Sequence, residues 1–300
     1  MNRRDACKLL LAVGATGCRR PASKAPGEAM NETAMTTTTT TSTADKMPVI
    51  FLAHGSPLLL DDAGWVRELG AWAAAMPRPK AVLMLSAHWV DRPITLGATR
   101  PVPLVYDFYG FPAKYYQTTY AAPPAPELAA RVHALLHAEP VAQDPERGLD
   151  HGAYVPLVAM YPQADVPVLQ ASLPSLDPTA LLALGRALAP LRREGVLIVG
   201  SGFLTHNLRT VDFRPDAPTP AWASEFDTWA GDVLARRDVD ALLDYRAKAP
   251  GVRMALPTHE HFVPVVVSMG AAVDDSAATA RFPITGFAYG TATRRSVQFG

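Results

Sequence analysis

Five short segments place a histidine where the backbone should turn or end an element: AHGSP with His54, SAHW with His88, LDHG with His151, THNL with His206, and HEHF with His259 and His261. Six of the eight histidines thus occupy special local contexts. A neutral imidazole ligates transition metals, and histidine titrates near neutral pH. Several histidines meeting in one cleft could therefore hold an ion and move protons. The only cysteines are Cys7 and Cys18, close to the N-terminus, so the body of the chain has no thiolate ligand and no disulfide. A metal site here must be built from His, Asp and Glu.

The elements that position these residues follow from hydrophobic periodicity. Residues 48–53 (PVIFLA), 81–86 (AVLMLS), 166–171 and 196–200 (VLIVG) are short apolar runs of the kind expected for strands buried on both faces. Helical patterns lie between and after them at 62–75, 125–137, 178–191 and 221–235. This alternation predicts an α/β fold: a single domain with a mostly parallel, mixed central sheet and helices on both faces. In such open sheets ligand sites gather beyond the carboxyl ends of the parallel strands. His54 follows the first strand, His88 the second, and His206 lies in the loop after the strand ending at Gly200, so the three should meet at one edge. The Pro-, Tyr- and Phe-rich stretch 100–126 is too aromatic for a disordered linker and reads as an ordered loop covering a site.

Charge and the N-terminus narrow the setting. The 28 basic and 28 acidic residues cancel, leaving no whole-protein field to favour nucleic acid. Residues 1–18 combine a basic start at Arg3 and Arg4 with a short apolar run ending at Cys18, and resemble a twin-arginine or lipoprotein export signal. Residues 19–46, with the run TTTTTTSTADK, suit a flexible low-complexity linker. Together these predict an exported, periplasmic protein, or one tethered to a membrane through a lipidated Cys18; a cytoplasmic protein with a disordered tail is the alternative. The folded body is then 47–300.

Other motifs weigh less. His133 and His137 in HALLH have the spacing of a helical zinc pair but lack the glutamate that would act as base, and read as a solvent-facing helix surface. GSGFLT approaches a dinucleotide fingerprint, yet Thr205 replaces its third glycine and no acidic residue follows about 20 positions on. No serine has glycines on both sides at the spacing of a nucleophile elbow. Small neighbours (Ala53, Gly55, Ala87) leave room for an ion beside His54 and His88. His261 opens the helical run FVPVVVSMG and competes with His259 for the inward position.

As a set, AHGSP, PKAVLMLSAHWV, YDFYGFP with KYYQTTYAAPPAPELA, GLDHGAYVPL, GSGFLTHNLR, HEHFVPVVVSMGAA and FAYG resemble the DOPA 4,5-dioxygenase-type branch of the class III extradiol ring-cleavage dioxygenases. The resemblance runs from about residue 47 to the C-terminus and makes 47–300 an extradiol dioxygenase-like catalytic domain. It implies metal ligation by His54, His88 and His261, the last chosen over His259 by its place before the apolar residue of the HF-x-P segment. It implies acid/base or substrate roles for His151 and His206. An export leader is not usual in that family.

The implied chemistry follows from the residue types. A neutral three-imidazole face leaves open positions at which Fe(II) can take both catechol oxygens and O2. A base must remove a proton from the catechol and an acid must return one. Insertion of oxygen beside the diol gives a lactone, which hydrolyses to a muconic semialdehyde-type product. A small aromatic diol, DOPA-like or caffeate-like, is the expected substrate, with Tyr106, Phe108 and Tyr109 its expected ring contacts. The same triad suits Zn(II), which cannot do dioxygen redox chemistry. A zinc-dependent hydrolase and a periplasmic metal-binding lipoprotein are therefore the alternative readings.

Overall fold

The four apolar runs become the central strands of an eight-stranded sheet. The computed structural model describes residues 46–214 and 216–300. The export-signal reading, the linker up to residue 45 and the lipidation of Cys18 lie outside the described residues. The first half of the body runs β1 (Val49–Ala53), α1 (Ala63–Ala75), β2 (Ala81–Val90), β3 (Ile94–Leu96), α2 (Pro126–Leu135), β4 (Val141–Gln143), α3 (His151–Met160) and β5 (Val168–Leu173). The second continues with α4 (Pro178–Leu188), β6 (Val196–Gly202), α5 (Ala221–Arg236), the short helices α6 (Val239–Leu243), α7 (Tyr245–Lys248) and α8 (Val252–Ala255), then α9 (Pro264–Val273). Four strands close the chain: β7 (Ala280–Ile284), β8 (Phe287–Ala288), β9 (Ala292–Thr293) and β10 (Ser296–Phe299).

The strand order is β4-β3-β5-β2-β6-β1-β10-β7, with β8 and β9 forming a separate hairpin. β5, β2, β6 and β1 run parallel. Antiparallel pairing begins at β10 on one side and between β5 and β3 on the other, so the sheet is mixed. Alternate strand residues serve opposite cores. Val49, Phe51, Leu83, Leu85 and Ile198 pack with α2, α4, α5 and α9, whereas Ile50, Leu52, Val82, Met84, Leu197 and Val199 pack with α1 and α3. Both faces being buried is why these strands read as continuous apolar runs rather than alternating ones.

Two elements differ from expectation. The helical run 178–191 divides: α4 stops at Leu188 and residues 189–194 form a 3-10 turn containing Pro190. A proline there cannot donate to the α-helical ladder. β2 continues four residues past Ser86, so His88 lies inside the strand rather than after it. The pairing of β2 with β5 shifts register between Leu85 and Val90, which makes the strand irregular where His88 sits.

Candidate active site

His54, His88, His151, His206 and His261 converge at the carboxyl end of the parallel strands. His54 follows β1, with its backbone N–H bonded to the Gly202 carbonyl at 3.2 Å. His151 is the first residue of α3, whose N-cap is the fully buried Asp150. His261 precedes α9 and reaches the sheet because β6 carries Gly200 and Gly202. A Cβ on Gly202 would lie 2.0 Å from the His261 carbonyl oxygen, and one on Gly200 2.3 Å from that of Pro264. The Phe203 N–H then donates to the His261 carbonyl at 2.8 Å. The glycines of GSGFLT thus serve backbone packing.

Nε2 of His88 lies 3.2 Å from Nε2 of His54 and 3.3 Å from Nε2 of His261. The opposite ring nitrogen of each has its own partner. Nδ1 of His54 meets Ser201 Oγ at 3.0 Å, and Ser201 spends its proton on the Gly152 carbonyl at 2.5 Å, so the imidazole must be the donor. Nδ1 of His88 faces Asp107 Oδ2 at 3.3 Å, and Nδ1 of His261 faces Glu260 Oε1 at 3.1 Å. Hydrogen bonds hold the Nδ1 protons of His54 and His261, and the Asp107 charge beside Nδ1 of His88 favours the same tautomer, so all three Nε2 atoms turn lone pairs toward one another, an arrangement that is repulsive without a cation. Two nitrogens bound to one ion at about 2.1 Å, about 100° apart, stand about 3.2 Å from each other. The donor set fits a divalent transition metal; His54 and His261 have hydrogen-bonded outer partners, and His88 has the Asp107 carboxylate beside its Nδ1.

Burial, reinforced by the neighbouring imidazoles, holds His54 and His88 well below the ordinary histidine range. Burial lowers His261 as well and pushes His206 down to about 3. Neutral rings keep their lone pairs available at neutral pH. The carboxylates behave conversely. Burial raises Glu260, but the hydrogen bonds from His261 and Thr258 outweigh it and bring it down to about 2. For Asp107, burial is likewise outweighed by the His151 hydrogen bond and the nearby imidazoles, down to about 2.

His151 and His206 flank the triad. His151 comes within ligand reach of His54 and His88, and His206 within reach of Glu260 and His261, two metal-capable clusters that share no residue; the Nε2 contact between His88 and His261 joins them. His151 is tied through Nδ1 to Asp107 Oδ1 at 2.7 Å, with its ring 4.0 Å from that of His88. His206 stacks on His261 at 3.4 Å, the planes 13° apart. His259 turns away, packing edge-on against Tyr245 at 5.5 Å. His133 and His137 are exposed.

The loop between β3 and α2 lies over this cluster. Phe108 meets His151 edge-on at 5.7 Å. Tyr106 packs against Phe108 and Tyr154, and its hydroxyl donates to the Thr118 carbonyl at 2.7 Å. Tyr109 is 91% exposed and is not brought to the histidines. Tyr109 immediately precedes Gly110, where the chain turns at φ 77°. Four polar residues of the site were not singled out from the sequence: Asp107, Asp150, Ser201 and Glu260. All four nevertheless lie in segments noted for other reasons: YDFYGFP, LDHG, GSGFLT and HEHF. Asp150 accepts from Ser86 Oγ at 2.9 Å and from Gln170, anchoring the start of α3 under His151.

Comparison with known proteins accords with this geometry. A family model described as the catalytic LigB subunit of aromatic ring-opening dioxygenase matches residues 48–300. A 4,5-DOPA dioxygenase extradiol of Beta vulgaris is 43% identical over 236 residues, covering 76% of this chain and 88% of that protein. One of Escherichia coli (strain K12) is 38% identical over 265 residues, covering 85% and 95%. The crystal structure of an uncharacterized protein from Escherichia coli K12 matches with a TM-score of 0.73 at 35% identity, over 85% of this chain and 100% of that one.

Proposed function

The chain belongs to the LigB family of aromatic ring-opening dioxygenases, and on that premise we propose that it opens a para-substituted, single-ring catechol of the DOPA or caffeate kind with Fe(II) held by His54, His88 and His261. Three inward Nε2 atoms, 3.2 and 3.3 Å apart along His54–His88–His261, carry this reading. Fe(II) on that face would supply the redox partner shared by the diol and O2, with coordination positions left open for both.

Proton movement falls to the chain's own side chains. His151 donates its Nδ1 proton to Asp107, which leaves Nε2 free to take a proton from a catechol hydroxyl and later return it. The Asp107 carboxylate stabilises the imidazolium formed in between, as in other carboxylate–histidine pairs. His206, stacked on His261, offers a second imidazole on the other side of the triad for substrate orientation or acid catalysis. Phe108 gives an apolar wall beside His151, and Tyr106 pins the loop that presents it.

The test is oxygen consumption by the full chain loaded anaerobically with Fe(II) and offered DOPA or caffeate. The reading expects about one O2 per catechol cleaved, oxygen incorporation after ¹⁸O2 labelling, and new near-ultraviolet or visible absorbance. No oxygen uptake across a catechol panel, together with ester or amide hydrolysis by zinc-loaded protein, would replace it with the metallohydrolase reading. Stoichiometric metal binding without either activity would leave metal capture as the function. We extend the proposal to location: the resemblance of the Arg3, Arg4 and Cys18 segment to an export leader supports an enzyme outside the cytoplasm, and an intact N-terminus on protein recovered from the cytosol would favour the cytoplasmic alternative.

A further inference from the structure

We infer that Asp107 is a positioning residue whose single carboxylate sets the tautomer and orientation of two imidazoles at once, His88 on the metal face and His151 on the proton-transfer face. The inference rests on the roles proposed above for those two histidines. Oδ1 accepts from Nδ1 of His151 at 2.7 Å and from the His151 backbone N–H at 3.1 Å. Oδ2 faces Nδ1 of His88 at 3.3 Å. Oδ1 is thus hydrogen-bonded to His151, while Oδ2 places its charge beside Nδ1 of His88 without a hydrogen bond.

A carboxylate is an acceptor only, so the bond to His151 keeps that ring's proton on Nδ1, and the negative charge 3.3 Å from Nδ1 of His88 favours the proton there as well, which leaves both Nε2 atoms as lone pairs facing the cleft. The rings are only 4.0 Å apart. Without a shared acceptor between their Nδ1 atoms, nothing fixes which nitrogen of either ring carries the proton. The bond to the His151 backbone adds a second constraint, because the first N–H groups of α3 have no partner within the helix. Asp150 cannot substitute: it is consumed by Ser86, Gln170 and the α3 N-terminus.

Asp107 reaches the site from the aromatic loop rather than from the sheet. The loop is stitched to the chain before α3 by the Val105 N–H donating to the Leu149 carbonyl at 2.9 Å, and it is closed on itself by Tyr106 and Thr118. The Asp107 side chain, 21% exposed, reaches His88 and His151 from a residue that is exposed as a whole. Placement of the loop and assembly of the polar site are thus one event, since the residue that orients His88 and His151 lies between the two loop aromatics Tyr106 and Phe108.

Asp107→Asn tests this, because the amide keeps the shape but loses the negative charge that faces His88 and one of the two acceptor oxygens. Loss of an outer partner of a metal-ligating histidine typically costs 10–100-fold in affinity or activity. Metal-free full chain carrying Asp107→Asn should bind Zn(II), used as the calorimetric probe, 10–100-fold more weakly than the unmodified chain. Its melting temperature should stay within a few degrees. The iron-loaded variant should lose kcat on DOPA with little change in KM, and Asp107→Glu should recover part of it.

Two readouts separate positioning from mere structure. In a His151→Ala background, Asp107→Asn should cost less further kcat than in the unmodified chain, because one of the two rings it orients is gone while His88 remains. Long-range ¹⁵N–¹H spectra of the metal-free chain should show Nδ1–H tautomers at His88 and His151, and mixed tautomers in Asp107→Asn. Additive kcat losses, wild-type zinc affinity in the Asn variant, or Nε2–H tautomers in the unmodified chain would each overturn the inference. If the unmodified chain cleaves no catechol, the proposed function fails, while the tautomers and zinc affinity still decide the role of Asp107.

Discussion

Replacing Gly152 by alanine should damage the metal site although alanine is the better helix former. Gly152 is the second residue of α3, and an added methyl would lie 2.4 Å from Ser86 Oγ, 2.9 Å from Cδ2 of His88 and 3.2 Å from Nδ1 of His54. Ser86 cannot simply retreat: its hydroxyl donates to Asp150 at 2.9 Å and accepts from the His88 backbone N–H at 3.2 Å. Helix propensity alone favours alanine by about 1 kcal/mol, and overpacking a filled site costs about 1–3 kcal/mol. The balance is a loss of about 0–2 kcal/mol, or a melting temperature lower by roughly 0–8 °C for a chain of this size. The greater effect falls on function, because the methyl pushes on two rings of the triad. Metal affinity should fall about 10–100-fold, and kcat by up to about 10²-fold for a displacement on the order of 1 Å. Thermal melts of the metal-free variant, with zinc titrations beside them, measure both. A variant that melts higher than the unmodified chain and binds zinc equally well would refute the packing argument.

Four further outcomes follow from the same geometry. His54→Ala, His88→Ala and His261→Ala should each abolish stoichiometric metal by elemental analysis, whereas His259→Ala, whose ring packs on Tyr245, should keep it; full metal content in His88→Ala would sink the triad. His151→Ala and His206→Ala should keep iron and lose about 10²–10⁴-fold in turnover, and loss of iron from either would make that residue a ligand. Phe108→Ala should raise the catechol KM about 2- to 10-fold, the worth of one aromatic contact of about 0.5–1.5 kcal/mol, and an unchanged KM would remove Phe108 from the substrate site. Asp227→Ala strands Arg295, held at 2.6 Å by a buried carboxylate. It should lower stability by about 3 kcal/mol in urea melts while the folded fraction binds zinc normally, and a matching loss of zinc affinity would contradict its separation from the site.

What could be read from the chain, and what could not, divides along physical lines. The buried parallel strands were legible because a short, unbroken apolar run bounded by turn residues suits little besides a strand covered on both faces. With them came the edge at which His54, His88 and His206 meet. α3 was not legible, although it carries His151. Nine of its ten residues are buried, so no polar face marks a helical period, and Pro156 within it argues against a helix. β3 and β4, three residues each, are too short to show any period.

The orienting groups were harder still. Glu260 adjoins the ring it holds and could have been found by asking what a carboxylate does between two histidines in HEH. Asp107 could not, because its partner His151 lies 44 positions away and only folding brings them to 2.7 Å. A metal ligand announces itself by residue type at a strand end, where backbone direction leaves few places to point. A hydrogen-bond acceptor announces nothing until its donor is known, and Asp, Ser and Glu at turns usually serve the backbone instead. The inner ring of such a site is therefore open to sequence reasoning while the shell that fixes its tautomers is not, and in this chain that shell contains the carboxylate of Asp107, which joins the aromatic loop to His88 and His151.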